Sequence, residues 1–202
     1  MKQITFYLDF ISPYAYLAFE QLPEALMGLS YSVRYRPVLL GAMLRHHQIL
    51  GPAEVPAKRA WTYRQVSWQA HQQGLPMQLP QPHPFNPLPL LRLAIACADG
   101  GDPNRYVCET LLHHVWQGGG GDAVDAQRMQ ALQAQLNPPR AVDDELVKAR
   151  LRANTDEAIA AGAFGVPTLM VDRQLFWGRE SLPMLRDYLE GGDWFETDAG
   201  AL

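Results

Sequence analysis

Three short stretches carry residues whose types and positions could do chemistry. In "YLDFISPYAYLA", residues 7–18, an apolar strand-like run passes directly into helical sequence at Ser12-Pro13. A helix start leaves backbone N–H groups without partners and carries a partial positive charge, so it favours an anion. Ser12 therefore has two readings. It is an N-cap, for which serine followed by proline is a favoured pair, or a hydroxyl donor in an active site. In "FGVPTLMV", Val166-Pro167 opens a second strand-like run. A proline there either begins the strand, where it needs no N–H partner, or forms a cis bond that presents the preceding backbone to a ligand. In "GRESL", Arg179, Glu180 and Ser181 follow Gly178 at another helix start. The plain reading is a polar capping sequence with Glu180 favourably placed near the helix dipole.

Other reactive residue types are poorly spaced. Cys97 and Cys108 lie eleven positions apart in helical sequence, which is neither zinc nor redox spacing, and read as small buried hydrophobes. His46-His47 and His113-His114 are adjacent pairs that point to different faces of a helix, and no His-x-x-x-His occurs, so no metal site is expected.

The elements that must position these residues follow from periodicity. "ITFYLDF" is apolar on both alternating faces, as in a strand buried inside a sheet. Ala15, Ala18, Phe19, Leu22 and Leu26 then follow the spacing of a helix with one buried face, which Pro23 should kink or split. After Gly28, "YSVRYRPV" alternates Tyr31, Val33 and Tyr35 against Ser32, Arg34 and Arg36. This β-α-β unit predicts two parallel strands with a right-handed crossover. From about 40 to 160 the strand signal vanishes, and "AKRAWTYRQVSWQAHQQG", "PLLRLAIACADG", "NRYVCETLLHHVWQ", "DAQRMQALQAQL" and "DDELVKARLRANTDEAIAAG" read as helices. "LPMQLPQPHPFNPLP" between the first two is an extended crossing with six prolines from Pro76 to Pro89. Sheet signals return in "VPTLMVD", a turn at "RQ", "LFWG" and a closing helix "RESLPMLRDYLEG". The chain is thus an α/β unit, residues 1–38 and 160–195, with an all-helical insertion at 39–159 packed over the end of its sheet.

Composition excludes several classes. The 202 residues are 48% apolar and 19% charged, as in an ordinary globular protein. Seventeen basic against twenty-one acidic residues give a net charge of −4 with no dense basic stripe, which argues against a nucleic-acid partner. No run is long and apolar enough for a membrane span, and the first residues carry no secretory signal, so a cytoplasmic location is expected.

The element order resembles the thioredoxin-like fold in its DsbA-type, helix-inserted form. In that family a redox Cys-x-x-Cys occupies the first strand-to-helix turn. Here the turn reads "SPYAY", so a thiol-disulfide exchanger lacks its nucleophile. Six motifs in order, "FYLDFISPYAYLA", "RPVLLGAML", "VPAKRAW", "HPFNPLPLLR", "FGVPT" and "FWGRESL", resemble those of 2-hydroxychromene-2-carboxylate isomerases and kappa-class glutathione transferases over residues 3 to 190.

The resemblance implies glutathione as the cofactor, with Ser12 donating a hydrogen bond to its sulfur. A free thiol, of pKa about 8.5, is only slightly ionised at neutral pH. Lowering it by about two units stabilises the thiolate by about 2.7 kcal/mol, within reach of a hydroxyl and a helix start. It further implies that Val166, before a cis-Pro167, pairs its backbone with the cysteinyl residue. Arg179, Glu180 and Ser181 match the γ-glutamyl turn, with Glu180 replacing the usual Asp, and Lys58 matches a lysine at the glycine carboxylate. Nine positions before Lys58, where the family commonly carries asparagine, stands Ile49.

The activity implied is the glutathione-dependent interconversion of 2-hydroxychromene-2-carboxylate and trans-o-hydroxybenzylidenepyruvate. Trp61, Phe85, Asn86 and Trp177 are the candidates for an aryl slot and its polar donors, each with core packing as the alternative. A kappa-like transferase or peroxidase, and a non-catalytic thioredoxin-like binding module, are the rival expectations. The partners are then glutathione, a small aromatic carboxylate and a second copy in a homodimer.

Overall fold

The computed structural model describes residues 1–98 and 102–197. Four strands, β1 (Lys2–Leu8), β2 (Tyr31–Pro37), β3 (Thr168–Val171) and β4 (Gln174–Trp177), form one sheet in the order β2-β1-β3-β4. β1 pairs parallel to β2 and antiparallel to β3, and β3 pairs antiparallel to β4. With a strand on each side and cover on both faces, β1 is buried from Ile4 to Leu8, which is why it is apolar at both odd and even positions. The edge strand β2 instead carries Arg34, bonded to Asp102, and Arg36, paired with Glu157. Charges on an edge discourage pairing with another chain.

Helix α1 (Pro13–Ala25) crosses from β1 to β2 and buries the expected Ala15, Ala18, Phe19 and Leu22, but Tyr16 and Leu17 are buried too, so its first half is covered on every side rather than on one face. It runs through Pro23 without being split. That proline lies in the last turn, so its missing N–H affects only the fraying end. The segment 39–159 holds α2 (Leu40–His46), α3 (Pro56–Gln72), α4 (Leu88–Ala96), α5 (Arg105–Trp116), α6 (Ala126–Leu136) and α7 (Glu145–Ala160). Of these, α2 has no counterpart in the sequence reading. The β3–β4 turn falls on Asp172-Arg173, both at positive φ, one residue earlier than the expected "RQ", so that Gln174 pairs with Val171. Helix α8 (Leu182–Glu190) closes the chain against α1.

One apolar core joins the sheet to the insertion. Phe6, Leu8 and Phe10 belong to the same cluster as Leu91, Leu111 and Trp116. Trp116 stacks on Tyr16 and donates its indole N–H to the Phe10 carbonyl at 3.1 Å, so α5 is fastened to the chain just before Ser12. A smaller cluster of Tyr7, Val38, Met43, Ala158, Ala163 and Val166 gathers β1, the end of β2 and the chain leading into β3.

Candidate active site

Ser12 lies in the turn between β1 and α1, where β1 runs out of sheet partners and Pro13 sets the first helical φ. Its backbone is extended, and its Oγ accepts from the Ala15 N–H at 3.2 Å, so it is the N-cap. The same hydroxyl donates to the Val166 carbonyl at 3.4 Å. Cap and active-site donor are therefore compatible roles, because the accepting and donating sides of the hydroxyl are separate.

The Val166-Pro167 bond is cis, the second of the two readings the sequence leaves open. Among the described residues no acceptor meets the Val166 N–H, while the Pro167 carbonyl is held by the Gly178 N–H at 2.9 Å. Thr168 donates its hydroxyl to the Gly165 carbonyl at 2.7 Å and so fixes the approach to the bend. Opposite Thr168 in the sheet is Trp177, half-exposed, with its ring 4.8 Å from that of Phe164. A Cβ on Gly165 would stand 3.0 Å from the Trp177 indole nitrogen, so the missing side chain lets this aromatic ledge close against the Gly165 backbone.

The Arg179–Ser181 turn follows at once. Gly178 has φ 83 and ψ 161, a backbone region essentially restricted to glycine. The Glu180 carboxylate folds over it, 2.6 Å from where a Cβ would stand. Ser181 donates its hydroxyl to the Gly178 carbonyl at 2.7 Å, and Arg179 donates to Gln21 of α1 at 3.0 Å. The turn borders the first turn of α1. Burial pushes the Tyr14 phenol up, its hydrogen bond with Thr62 pulls it down, and the charges of Glu180 and Arg179 act on it in opposite senses. Tyr14 donates to Gln65 of α3 at 2.7 Å. Lys58 and Trp61 precede Gln65 by about two turns and one turn of the same helix, on the same side. Both are exposed, and Lys58 has no ion-pair partner among the described residues.

Phe85 and Asn86 are placed differently. Phe85 is buried with its ring 5.9 Å from that of His83, and Asn86 accepts the Leu88 N–H at the start of α4. Phe85 is thus held by packing, while Asn86 stays exposed with one side-chain bond to the turn before α4. Ile49 is exposed beyond α2, its N–H bonded to the Leu44 carbonyl, so that loop offers an apolar side chain.

Sequence reasoning passes over Asp9, Tyr14, Tyr63 and His83. Asp9 is completely buried beneath the turn, accepting the Ile11 N–H at 3.2 Å and the Leu40 N–H at 2.9 Å. Burial pushes its carboxyl up to about 7, against the downward pull of N–H groups from Leu40, Ile11 and Phe10. An acid inside the apolar run "YLDF" is the signal that could have marked it.

Beyond Leu40 lies a cleft of about 340 Å³ between α2, α4 and α7. Leu39, Ala42, Leu88 and Leu151 give it an apolar floor, and Arg92, Lys148 and Arg152 contribute cations. Glu145 is bonded to Lys148 at 2.7 Å, and Asp156 is the remaining acid. Arg92 has no carboxylate partner among the described residues, and its Nε is buried without an acceptor.

A family model described as a DsbA-like thioredoxin domain matches residues 3–190, and the chain belongs to that family. It is 27% identical over 205 residues to a 2-hydroxychromene-2-carboxylate isomerase of Sphingobium xenophagum, covering 93% of this chain and 98% of that one. It is 26% identical to glutathione S-transferase kappa 2 of Caenorhabditis elegans, covering 93% and 92%. The solved structure of a 2-hydroxychromene-2-carboxylate isomerase superimposes with a TM-score of 0.77 over 94% of this chain and 95% of that one, at 22% identity, which shows a shared fold. The chain thus stands among DsbA-like isomerases and transferases, both of them enzymes. No helix among the described residues is long and apolar enough to cross a membrane.

Proposed function

We propose that the protein is a glutathione-dependent isomerase that interconverts 2-hydroxychromene-2-carboxylate and trans-o-hydroxybenzylidenepyruvate. The observation that carries this reading is the meeting of the Ser12 hydroxyl, at a helix start, with the backbone of Val166 beside a cis-proline. The residues present fit glutathione. The unmet Val166 N–H and its carbonyl offer an extended peptide both halves of a strand-like pairing. Glu180 can take an α-amino group and Lys58 a carboxylate. Ser12 would offer a donor to the cysteinyl sulfur.

Held by Val166, Glu180 and Lys58, glutathione would supply a thiolate, the nucleophile for reversible addition to a conjugated double bond. The chain's own contribution is to hold that sulfur ionised. The Ser12 O–H, now spent on a long bond to Val166, turns to the sulfur while Oγ continues to cap Ala15. The first-turn N–H groups of α1 add their positive end. Trp177 and Trp61 present exposed aromatic surface that would suit an aryl ring.

Continuous ultraviolet recording of the substrate interconversion, with and without glutathione, tests the reading. Turnover that requires glutathione and leaves its concentration constant is expected. Consumption of glutathione would instead favour a kappa-like transferase, the reading supported by the similarity to the Caenorhabditis elegans protein. Free thiols at Cys97 and Cys108 accord with a cytoplasmic location, and exposed Trp68 on α3 accords with a homodimer.

A further inference from the structure

His83 lies in the proline-rich crossing of the insertion, half-buried and ringed by Tyr63, Phe85 and Trp116 at centroid distances of 5.4, 5.9 and 5.5 Å. Its Nε2 is 2.9 Å from the carbonyl oxygen of Ile11. A carbonyl only accepts, so Nε2 carries a hydrogen and donates it. Its Nδ1 is 2.6 Å from the Tyr63 hydroxyl, which is also 3.0 Å from the His83 carbonyl.

The Ile11 carbonyl belongs to the same peptide plane as the Ser12 N–H. At the other edge of that plane, the Ser12 N–H donates to the Asp9 carbonyl at 3.0 Å. The plane leading into Ser12 is therefore tied at both edges, once by its own turn and once by an imidazole 72 residues away. Trp116 holds the preceding carbonyl, that of Phe10, at 3.1 Å. Two side chains of the insertion thus grip successive carbonyls of the turn that sets where the Ser12 hydroxyl points.

We propose that His83, oriented by Tyr63, is a positioning residue that fixes the Ile11–Ser12 peptide and through it the Ser12 hydroxyl. The inference rests on the glutathione reading above. Burial lowers the His83 pKa and favours the neutral ring, with the Tyr63 O–H donating to Nδ1. The clamp also tolerates a proton. Nδ1–H would then donate to the Tyr63 oxygen, whose own hydrogen turns to the His83 carbonyl, while the Nε2–H bond to Ile11 stays unchanged. Its action on Ser12 does not depend on which form is present.

The test compares His83→Phe, His83→Gln and Tyr63→Phe with the wild type, using glutathione affinity by calorimetry, titration of the bound thiol by its thiolate absorbance, and kcat and KM. His83→Phe keeps the ring volume and loses the donor. We expect about a tenfold or greater fall in kcat, a higher pKa for the bound thiol, and a nearly unchanged KM for glutathione. His83→Gln, whose amide N–H can reach the Ile11 carbonyl, should recover most of kcat, and Tyr63→Phe should move the thiol titration in the same direction by less. A wild-type thiol titration in His83→Phe, whatever its melting temperature, overturns the proposal. So does a His83→Gln variant as impaired as His83→Phe, or, if His83→Phe does not fold, an unchanged titration in Tyr63→Phe. Failure of the wild type to bind glutathione overturns the underlying reading together with this one, and is distinguishable because it is seen before any variant is made.

Discussion

The Ser12 hydroxyl stands 3.4 Å from the carbonyl oxygen of Val166, across a sequence separation of 154 residues. That length is beyond the usual range for an O–H donor, so the bond is weak and readily exchanged for a better acceptor. The Ala15 N–H meanwhile occupies the accepting side of Oγ. A thiolate can therefore take the hydroxyl's hydrogen without disturbing the helix cap. Ser12→Ala should lose both functions. Stability should fall by about 0.5–2 kcal/mol for the cap, read by chemical denaturation, and kcat by roughly 10² for the lost anion donor. Wild-type turnover in this variant would remove Ser12 from the mechanism.

Asp9 gives the fold a pH dependence with a definite sign. Its carboxyl is raised from 3.8 to about 7 in the folded chain, chiefly by burial, so between those values the native state holds a proton that the unfolded chain releases. Its contribution to stability is fully present below about pH 4 and is lost as the pH rises through about 7. Asp9→Asn should flatten the stability profile across that window. Below about pH 4, where the wild-type carboxyl is protonated, it should also cost about 1 kcal/mol, because an amide has one acceptor oxygen for the Ile11 and Leu40 N–H groups, and that cost should shrink and reverse as the pH rises through about 7. Denaturation midpoints at a series of pH values decide it, and a wild-type slope in the variant would remove Asp9 as its source.

Gly178 and Glu180 should fail together. Gly178→Ala places a Cβ 2.6 Å from the Glu180 carboxylate and forces an alanine into a backbone region that costs about 1–3 kcal/mol. The carboxylate can swing away, so the chain should still fold, with the γ-glutamyl partner displaced. The expected kinetic result is a several-fold higher KM for glutathione with little change in kcat. An unchanged KM would show that Glu180 takes no part in binding.

Arg92 tests whether the cleft beside α4 takes the aromatic carboxylate. Its guanidinium, without a carboxylate partner among the described residues, lines the cleft between α2, α4 and α7, whose edge at Leu39 adjoins the Leu40 N–H bound by Asp9. A charge-assisted hydrogen bond is worth about 1.5–3 kcal/mol. Arg92→Gln should accordingly raise KM for the aromatic carboxylate by tenfold or more and leave glutathione affinity by calorimetry unaltered. Equal loss for both ligands would place the cleft's role in folding rather than in recognition.

Elements with long apolar runs were legible in the sequence. The two-faced apolar run of β1 and the buried face of α1 are where alternation and helical spacing put them. Helix α2 escaped because it is seven residues long, buries only Met43 and has no side-chain cap. The β3–β4 turn was misplaced by one residue because it puts Arg173, a poor former of such turns, at φ 75. At the site, Ser12, Val166-Pro167 and Arg179–Ser181 stand in local motifs. Asp9 and His83 act through backbone groups contributed by other elements, Leu40 for one and Ile11 for the other. A partner that is any residue's N–H or C=O leaves no side-chain signature. Phe85 and Asn86 show that one motif can divide, the ring entering the core and its neighbour staying exposed.

The state of the glutathione thiol in the binary complex tests the central claim most directly. Ultraviolet titration of the bound thiol in the wild type and in Ser12→Ala measures it without any assumption about the second substrate. The wild-type complex should show a thiol ionising about two units below the free value near 8.5, with most of that shift lost in Ser12→Ala. A bound thiol that titrates like free glutathione, or a chain that binds no glutathione at millimolar concentration, would contradict the account.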